Sequence, residues 1–223
     1  MDFSLIVHPL FLSFKTVGFS LVLFVILGIP LSYLLSKESL PHKWLWETLI
    51  TIPLIFPPIA IGFLLLLLLG KKGWIGSYFY TFDIRFIFEF KGLVIAGFIA
   101  GLPLMVKPLQ SAIEAFPKAI IEAAYTSGKS KLQTFIWVIL PCIKSSVIAT
   151  LLIASARALG EVGITLMLGG NIIGKTDTIS LAIYNAVFDG DYDLALVLCS
   201  VLIFISIIVF VGLHYFQKKA KFV

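Results

Sequence analysis

Charged residues are spaced unevenly along the chain, and the long gaps between them predict its helices. Three gaps contain no charged residue at all: Lys15 to Lys37, Glu47 to Lys71, and Asp193 to Lys218. Each gap holds about the 20 mostly apolar residues that a helix needs to cross a lipid bilayer. The pattern therefore predicts membrane-spanning helices at about 14–36, 47–70 and 194–217.

Two further apolar stretches contain charged residues. Residues 92–106 are uncharged before Lys107, and a lysine near a helix end can extend its ammonium group to the membrane surface. The stretch that starts at 144 contains Arg157 and Glu161. We predict spans at about 91–112 and 144–167, which gives about five transmembrane helices in an all-α membrane protein.

The composition supports a membrane protein and excludes other classes. The 223 residues are 60% hydrophobic and 13% charged, whereas a soluble domain has roughly 25% charged residues. The mean hydropathy is +1.07. The net charge is +5, but no basic stripe interleaved with aromatic residues is present, so we expect no nucleic-acid partner. We expect a lipid bilayer around the chain instead.

The distribution of lysine and arginine predicts the orientation, because these residues are enriched in cytoplasmic loops. With the C-terminus in the cytoplasm, the inner side holds Lys37, Lys43, Lys107, Lys118, Lys129, Lys131, Lys144, Lys218, Lys219 and Lys221. The outer side then holds Lys71, Lys72, Arg85, Lys91 and Lys175. This bias predicts an N-terminus outside and a cytoplasmic connection at about 113–143.

The 113–143 connection has the pattern of two short helices. Pro117 suits the first turn of a helix, and Gly128 suits the position just after its end. A second helical stretch, 131–140, ends at Pro141. We therefore expect a helical hairpin in the cytoplasm rather than an irregular loop.

Within this connection, the order Glu122-Ala123-Ala124, three residues, Gly128, nine residues, Val138-Ile139-Leu140-Pro141 resembles the EAA motif of ABC importer permeases. The one departure is Val138, which stands where that motif usually has isoleucine. The resemblance implies a coupling helix that docks in a groove of a separate ATPase subunit. The coupling residues would be Glu122, Ala123, Ala124, Gly128, Leu140 and Pro141. An ordinary amphipathic hairpin is the alternative.

The residue types of this motif make physical sense for docking. Glu122 offers a carboxylate to donors of a partner protein. Ala123 and Ala124 are small enough to let another backbone approach closely. Gly128 ends the helix and permits a sharp turn.

Four other segments are similar to permeases of the molybdate/tungstate transporter family: residues 51–62, 70–76, 157–163 and 170–176. This resemblance implies one permease domain over residues 1–223, with the MetI-like fold of type I ABC importers. It also implies a homodimer in the cytoplasmic (inner) cell membrane. The implied partners are a cytoplasmic ABC ATPase dimer that binds ATP and Mg, and a periplasmic or tethered molybdate-binding protein. The chain itself is then a non-catalytic transport subunit that binds no cofactor.

Residues inside the predicted spans are candidates for a transport path or gate. Pro57 and Pro58 each remove a backbone donor, and such breaks are tolerated where protein or a water-filled cavity surrounds them. Arg157 and Glu161 are four residues apart and share a helix face. Charges in a span usually face a bundle interior or a pore. A purely structural kink, and a structural ion pair near the outer membrane edge, are the alternatives.

Two alternative functions stay open. An ABC permease for sulfate, thiosulfate or another oxyanion shares much of this scaffold. A secondary transporter that needs no ATPase often contains inverted repeats, and the sequence has none that we can detect. The segment 169–176 fits the pattern of a phosphate-binding loop, but such a loop follows a strand in an α/β domain. We therefore predict a glycine-rich turn between spans at this segment.

Overall fold

The computed structural model describes the backbone of residues 4–220 and the side chains of residues 5–212. Within residues 4–220 every regular element is a helix. The α-helices are α1 (Ser4–Leu23), α2 (Ile29–Leu35), α3 (Lys43–Ile55), α4 (Pro58–Leu69), α5 (Trp74–Tyr80), α6 (Phe90–Glu114), α7 (Lys118–Thr126), α8 (Lys131–Thr134), α9 (Leu140–Cys142), α10 (Lys144–Leu159), α11 (Gly163–Gly169), α12 (Ile179–Phe188) and α13 (Tyr192–Ala220). Two π-helical turns join α1 to α2 and α8 to α9: Phe24–Gly28 and Phe135–Ile139. The residues Lys218, Lys219 and Lys221, which contribute to the predicted orientation, lie outside the described side chains.

Among the described residues, three helices are long and apolar enough to cross a membrane: Leu5–Leu35, Phe90–Glu114 and Tyr192–Gly212. The first helix begins at Ser4, well before the predicted position 14, because Lys15 does not end it. Lys15 Nζ lies 4.6 Å from the centre of the Phe90 ring. This cation–π contact holds the charge at the side of the helix. The other two helices contain the predicted ranges 91–112 and 194–217.

The predicted span at 47–70 is two helices rather than one. Helix α3 ends at Ile55, α4 begins at Pro58, and the chain bends by 119° between them. Phe56 and Pro57 have extended backbones, with ψ of 148° and 127°, because a proline pushes the preceding residue out of the helical region. Two consecutive prolines therefore break this helix instead of only kinking it.

The predicted span at 144–167 is also interrupted, and that prediction is wrong in its second half. Helix α10 ends at Leu159, and a separate helix, α11, begins at Gly163. Helix α10 instead forms a bent pair with Lys131–Cys142, with a bend of 80°. If each bent pair is counted as one span, the described residues provide up to five candidate spans.

Helix α6 forms the centre of the bundle. In the most apolar stretch of α6, 67% of the residues are buried. The corresponding share is 22% for the first helix and 11% for the last. Gly97 of α6 lies against Ser20 and Ala158, and Gly101 lies against Ala154. These glycines let α1 and α10 approach the backbone of α6 closely. The first and last helices surround this centre and expose apolar side chains, as lipid-facing helices do.

Candidate functional site: an exposed hairpin and a broken-helix junction

Local hydrogen bonds build the turn between α7 and α8. We call residues 118–142 the hairpin. At the end of α7, the amide of Gly128 donates to the carbonyl of Tyr125 (2.9 Å), and the amide of Lys129 donates to the carbonyl of Ala124 (3.1 Å). Gly128 has φ +80°, a left-handed conformation that such helix ends use and that glycine adopts without strain. The helix therefore stops where the sequence predicts.

The second arm of the hairpin starts at Ser130. Its hydroxyl accepts a hydrogen bond from the amide of Gln133 (3.3 Å), and the Gln133 side chain accepts one from the amide of Ser130 (2.9 Å). This reciprocal capping box starts α8 directly after the turn. The predicted helix over 131–140 is present as α8, a π-helical turn and α9, and it continues past Pro141 to Cys142.

One face of α7 is free, and the other packs on the chain. Glu122 and Ala123 are exposed, whereas Ala124 is buried. The small side chain of Ala124 therefore serves packing inside this chain, which differs from the partner contact expected from the motif. Glu122 and Ala123 stay accessible to another protein, as does Pro141 on the second arm.

The second arm anchors the hairpin to the core. Phe135 and Ile139 are buried in an apolar cluster that includes Met105 and Leu109 of α6, and Leu140 packs against the same cluster. Protein interiors are close-packed, so they transmit displacements instead of absorbing them. The second arm of the hairpin is therefore packed directly against the central helix.

The second candidate region lies where two helices begin side by side. We call it the junction: residues 56–59 at the start of α4, and residues 160–164 at the start of α11. A Cβ atom on Gly163 would lie 2.8 Å from the backbone nitrogen of Ile59 and 2.9 Å from Pro58 Cβ. Both distances are shorter than a real Cβ atom tolerates. Glycine at position 163 is therefore what lets the two helix starts meet.

One turn further along, Gly62 repeats this close approach. A Cβ atom there would lie 2.8 Å from Met167 Cβ and 3.0 Å from Ile164 Cα. Helices α4 and α11 therefore pack almost backbone to backbone along their first two turns. Ile61 and Ile164 also share an apolar cluster with Ala100 of α6, which attaches both short helices to the centre of the bundle.

Arg157 and Glu161 link the end of α10 to the start of α11. One oxygen of the Glu161 carboxylate lies 2.6 Å from the Arg157 guanidinium. The other accepts a hydrogen bond from the Ile164 amide at 2.7 Å. The Glu161 side chain is 1% exposed and the Arg157 side chain is 30% exposed. The carboxylate thus caps α11 and lies at the positive end of its dipole. The pair predicted within one helix instead bridges a break between two.

The structure brings the four candidate path residues into one region. Pro57 and Pro58 are exposed at the start of α4, and Arg157 and Glu161 lie beside the start of α11. Gly163 controls the contact between the two helices and is not among the candidate residues predicted from the sequence. Its identity was visible in the sequence, but no local pattern indicates which backbone lies opposite.

Hydrogen bonds that involve the side chains of Thr176 and Asp177 hold the glycine-rich turn between α11 and α12. The Thr176 hydroxyl donates to the carbonyl of Gly169 (2.8 Å) and accepts from the amide of Ile172 (2.9 Å). The Asp177 carboxylate accepts from the amide of Gly174 at 2.9 Å. These groups hold a turn, which is the structure predicted for this segment.

The described residues form a bundle of apolar helices that contains two bent pairs, and three of the helices are long and apolar enough to cross a membrane. The chain belongs to the family of the binding-protein-dependent transport system inner membrane component, which matches residues 11–221. It is therefore a multi-pass inner-membrane protein and a transport subunit, not an enzyme.

Two relatives and one solved structure support this assignment. The chain is 35% identical over 185 residues to the "Probable transport system permease protein NifC" of Clostridium pasteurianum. The matched segment covers 82% of this chain and 64% of NifC. The chain thus spans slightly under two thirds of the length of NifC. It is 34% identical to the molybdenum transport system permease protein ModB of Escherichia coli K12, over 79% of this chain and 77% of ModB.

The solved structure is that of a bacterial alginate ABC transporter in complex with an alginate pentasaccharide-bound periplasmic protein. One of its chains has the same fold, with a TM-score of 0.73 at 17% identity over 96% of this chain and 78% of that chain. The predicted all-α, MetI-like permease fold is thereby confirmed.

Proposed function

We propose that this chain is the permease subunit of an ATP-driven importer that moves molybdate, with tungstate as a close analogue, into the cytoplasm by alternating access. The ModB relative supports the substrate, because it resembles this chain over most of its length and is a molybdenum permease by name. The hairpin supports the mechanism, because an exposed helix face is mounted on the core through buried side chains.

In this proposal, α7 docks on one subunit of a cytoplasmic ABC ATPase dimer, and the ATPase alone binds ATP and Mg. Glu122 and Ala123 form the exposed contact. Closure of the ATPase pushes the hairpin, and Phe135 and Ile139 pass the displacement to α6 because close-packed side chains do not absorb it. Gly128 keeps α7 and α8 as two separate arms.

The junction is the element that we expect to change shape. Helical hydrogen bonding is interrupted before α4 and again before α11, so rotation at these points disrupts fewer bonds than rotation inside a helix. Pro57 and Pro58 are exposed there, which leaves this face available to a second copy of the chain. We propose a homodimer with the transport path between the two copies. A periplasmic or tethered molybdate-binding protein then delivers the anion at the outer face.

Uptake into proteoliposomes tests the whole proposal. The chain is reconstituted with its ATPase and binding protein, with ATP on the ATPase side, and receives labelled molybdate, tungstate or sulfate. We expect molybdate to accumulate only with hydrolysable ATP. Sulfate uptake without molybdate uptake would replace the proposed substrate by the sulfate alternative. Molybdate uptake without the ATPase would exclude the ABC mechanism.

Thiol labelling tests the proposed orientation, with the N-terminus outside and the C-terminus in the cytoplasm. Cys142 is an exposed thiol at the end of the hairpin, whereas Cys199 is half-buried. In a Cys199→Ser background, we expect a membrane-impermeant maleimide to label Cys142 in inverted vesicles and not in intact cells. Labelling in intact cells would put the hairpin on the outer side and contradict the proposal.

A further inference from the structure

A cavity of about 630 Å³ opens beside the hairpin. It is lined by four lysines and two carboxylates: Lys37, Lys43, Lys118, Lys131, Glu38 and Glu114. We call it the lysine cavity. Its lysines come from the loop after α2 and from the starts of α3, α7 and α8. The excess of positive charge is therefore created by the fold and not by a run of basic residues.

The positive charge of the lysine cavity is only partly neutralised. Lys43 Nζ lies 2.9 Å from a Glu114 carboxylate oxygen, which pairs these two groups. Lys37 Nζ lies over the Tyr33 ring, 4.3 Å from its centre, so it contacts an aromatic face and not an anion. Within residues 5–212, Lys118 and Lys131 form no ion pair. These two ammonium groups are available to a ligand.

Aromatic and hydroxyl groups complete the wall and make it rigid. The Tyr33 ring stacks on Phe135 with 4.0 Å between ring centres. The Tyr33 hydroxyl donates to the carbonyl of Lys131 at 3.3 Å. These contacts fix the end of the first helix against the second arm of the hairpin. Tyr125 of α7 also lines the cavity and adds a second phenol hydroxyl.

The position of the lysine cavity fits a phosphate-type ligand. It is bounded by the ends of two candidate spans, at Leu35 and Glu114, so its lysines lie at the level where apolar helices meet the aqueous surface. Basic pockets between helices at this level bind anionic lipid headgroups. Lysine binds phosphate groups as a point charge, and a volume of about 630 Å³ lies within the usual range for ligand pockets.

We propose that the lysine cavity binds a phosphate-type oxyanion, carried by the headgroup of an anionic phospholipid or present as a free anion. Lys118 and Lys131 are its main cationic contacts. A bound anion lies between Lys118 of α7, Lys131 of α8 and Lys37 after the first helix, and it attracts all three ammonium groups. It therefore stiffens the hairpin relative to the core.

Thermal unfolding of the purified full-length chain in a neutral detergent tests this site. The chain is titrated at constant ionic strength with inorganic phosphate, with phosphatidylglycerol in mixed micelles, or with phosphatidylcholine in mixed micelles. The test variant is Lys118→Gln/Lys131→Gln. The matched control is Lys71→Gln/Lys72→Gln, which removes the same charge from exposed lysines elsewhere. Lys118→Arg/Lys131→Arg changes the same two side chains but keeps both positive charges. It therefore separates a loss of binding caused by the lost charges from one caused by a disturbed fold.

We expect the unfolding temperature to rise with at least one anionic probe and not with phosphatidylcholine. Because two charged contacts are removed, the Gln pair should weaken the apparent affinity about tenfold or more, whereas the control and the Arg pair should change it less than about threefold. A response to phosphatidylglycerol alone identifies a headgroup, and a response to phosphate identifies a free anion.

No response to either anionic probe, or an equal loss of affinity in the control pair, overturns the proposal. If the lysine cavity holds only a side chain of the ATPase, neither anionic probe will change the unfolding temperature. The experiment uses no ATPase and measures no transport, so its failure leaves the proposed import function unaffected.

Discussion

The hairpin and the junction are both places where one helix stops and another begins, yet they are held in opposite ways. The hydrogen bonds that end α7 join residues within five positions of each other, such as Lys129 and Ala124. In the junction, Gly163 lies against Pro58 and Ile59, which belong to a distant part of the chain. The hairpin is therefore specified by its own sequence, whereas the junction depends on the assembled bundle.

The two regions also use their glutamates differently. Glu122 is exposed on α7 and has an accessible carboxylate. Glu161 is buried, with one carboxylate oxygen paired to Arg157 and the other bonded to the Ile164 amide. An exposed charge is nearly neutral for stability, but a buried charge needs all its partners. We infer that changes in the hairpin alter what the chain binds, and that changes in the junction alter whether the chain folds.

The largest effect on stability is expected for Glu161→Ala. This change leaves the partly buried Arg157 without its counter-charge and the Ile164 amide without its acceptor. We expect a loss of about 3 kcal/mol, at the low end for a broken buried pair because Arg157 is partly exposed. Thermal unfolding in detergent measures it. Glu161→Gln keeps an oxygen for the Ile164 amide and should lose less. Equal stability of Glu161→Ala and the unchanged chain would refute the role of Glu161 as a cap.

A smaller effect is expected for Gly163→Ala. The new methyl group overlaps the Ile59 nitrogen and Pro58 Cβ, so the helix starts must separate, at a cost of about 2 kcal/mol. Gly160→Ala is the matched control, because a Cβ atom there meets only the Ala156 carbonyl, at 3.7 Å. Gly163→Ala should therefore unfold at a clearly lower temperature than Gly160→Ala. If both variants unfold at the same temperature, the close contact between α4 and α11 is absent.

Gly128→Ala should have a still smaller effect. Nothing lies within 4 Å of the added Cβ atom, and only the φ of +80° opposes it. The expected loss is about 1 kcal/mol. Gly174 has a similar φ of +76° and equally open space around it. Gly174→Ala should therefore lower the unfolding temperature by the same amount as Gly128→Ala. A much greater loss at Gly128 than at Gly174 would indicate packing that the structure lacks.

The smallest effect on stability, and a large one on binding, is expected for Glu122→Lys. Because the side chain is exposed, the unfolding free energy should change by less than about 0.5 kcal/mol. Co-purification with the ATPase should nevertheless be lost, since the reversed charge opposes the proposed contact. Asp193→Lys reverses an exposed charge at the start of α13 and should retain the ATPase. Retention by Glu122→Lys would remove α7 from the proposed ATPase contact.

The sequence alone determined those features that depend on neighbouring residues. An uncharged gap located the long helix around 194–217, and the uncharged stretch 92–106 before Lys107 located the one around 91–112, because apolar length is a local property. Pro117 and Gly128 predicted the first helix of the hairpin, and its bounds in the structure, Lys118–Thr126, agree with them. The exposed Glu122 was likewise visible as part of a motif, although the burial of Ala124 was not.

Only the tertiary structure decided how distant segments meet. The prolines at 57 and 58 predicted a disturbance, but only the structure shows the 119° bend and the close packing of α4 against α11. Charge spacing suggested that Arg157 and Glu161 share one helix, whereas the Glu161 carboxylate caps the next helix instead. The lysine cavity combines four lysines from separate segments. Such contacts join residues far apart in sequence, and their energies come from burial and close approach, which no local pattern of residue types records.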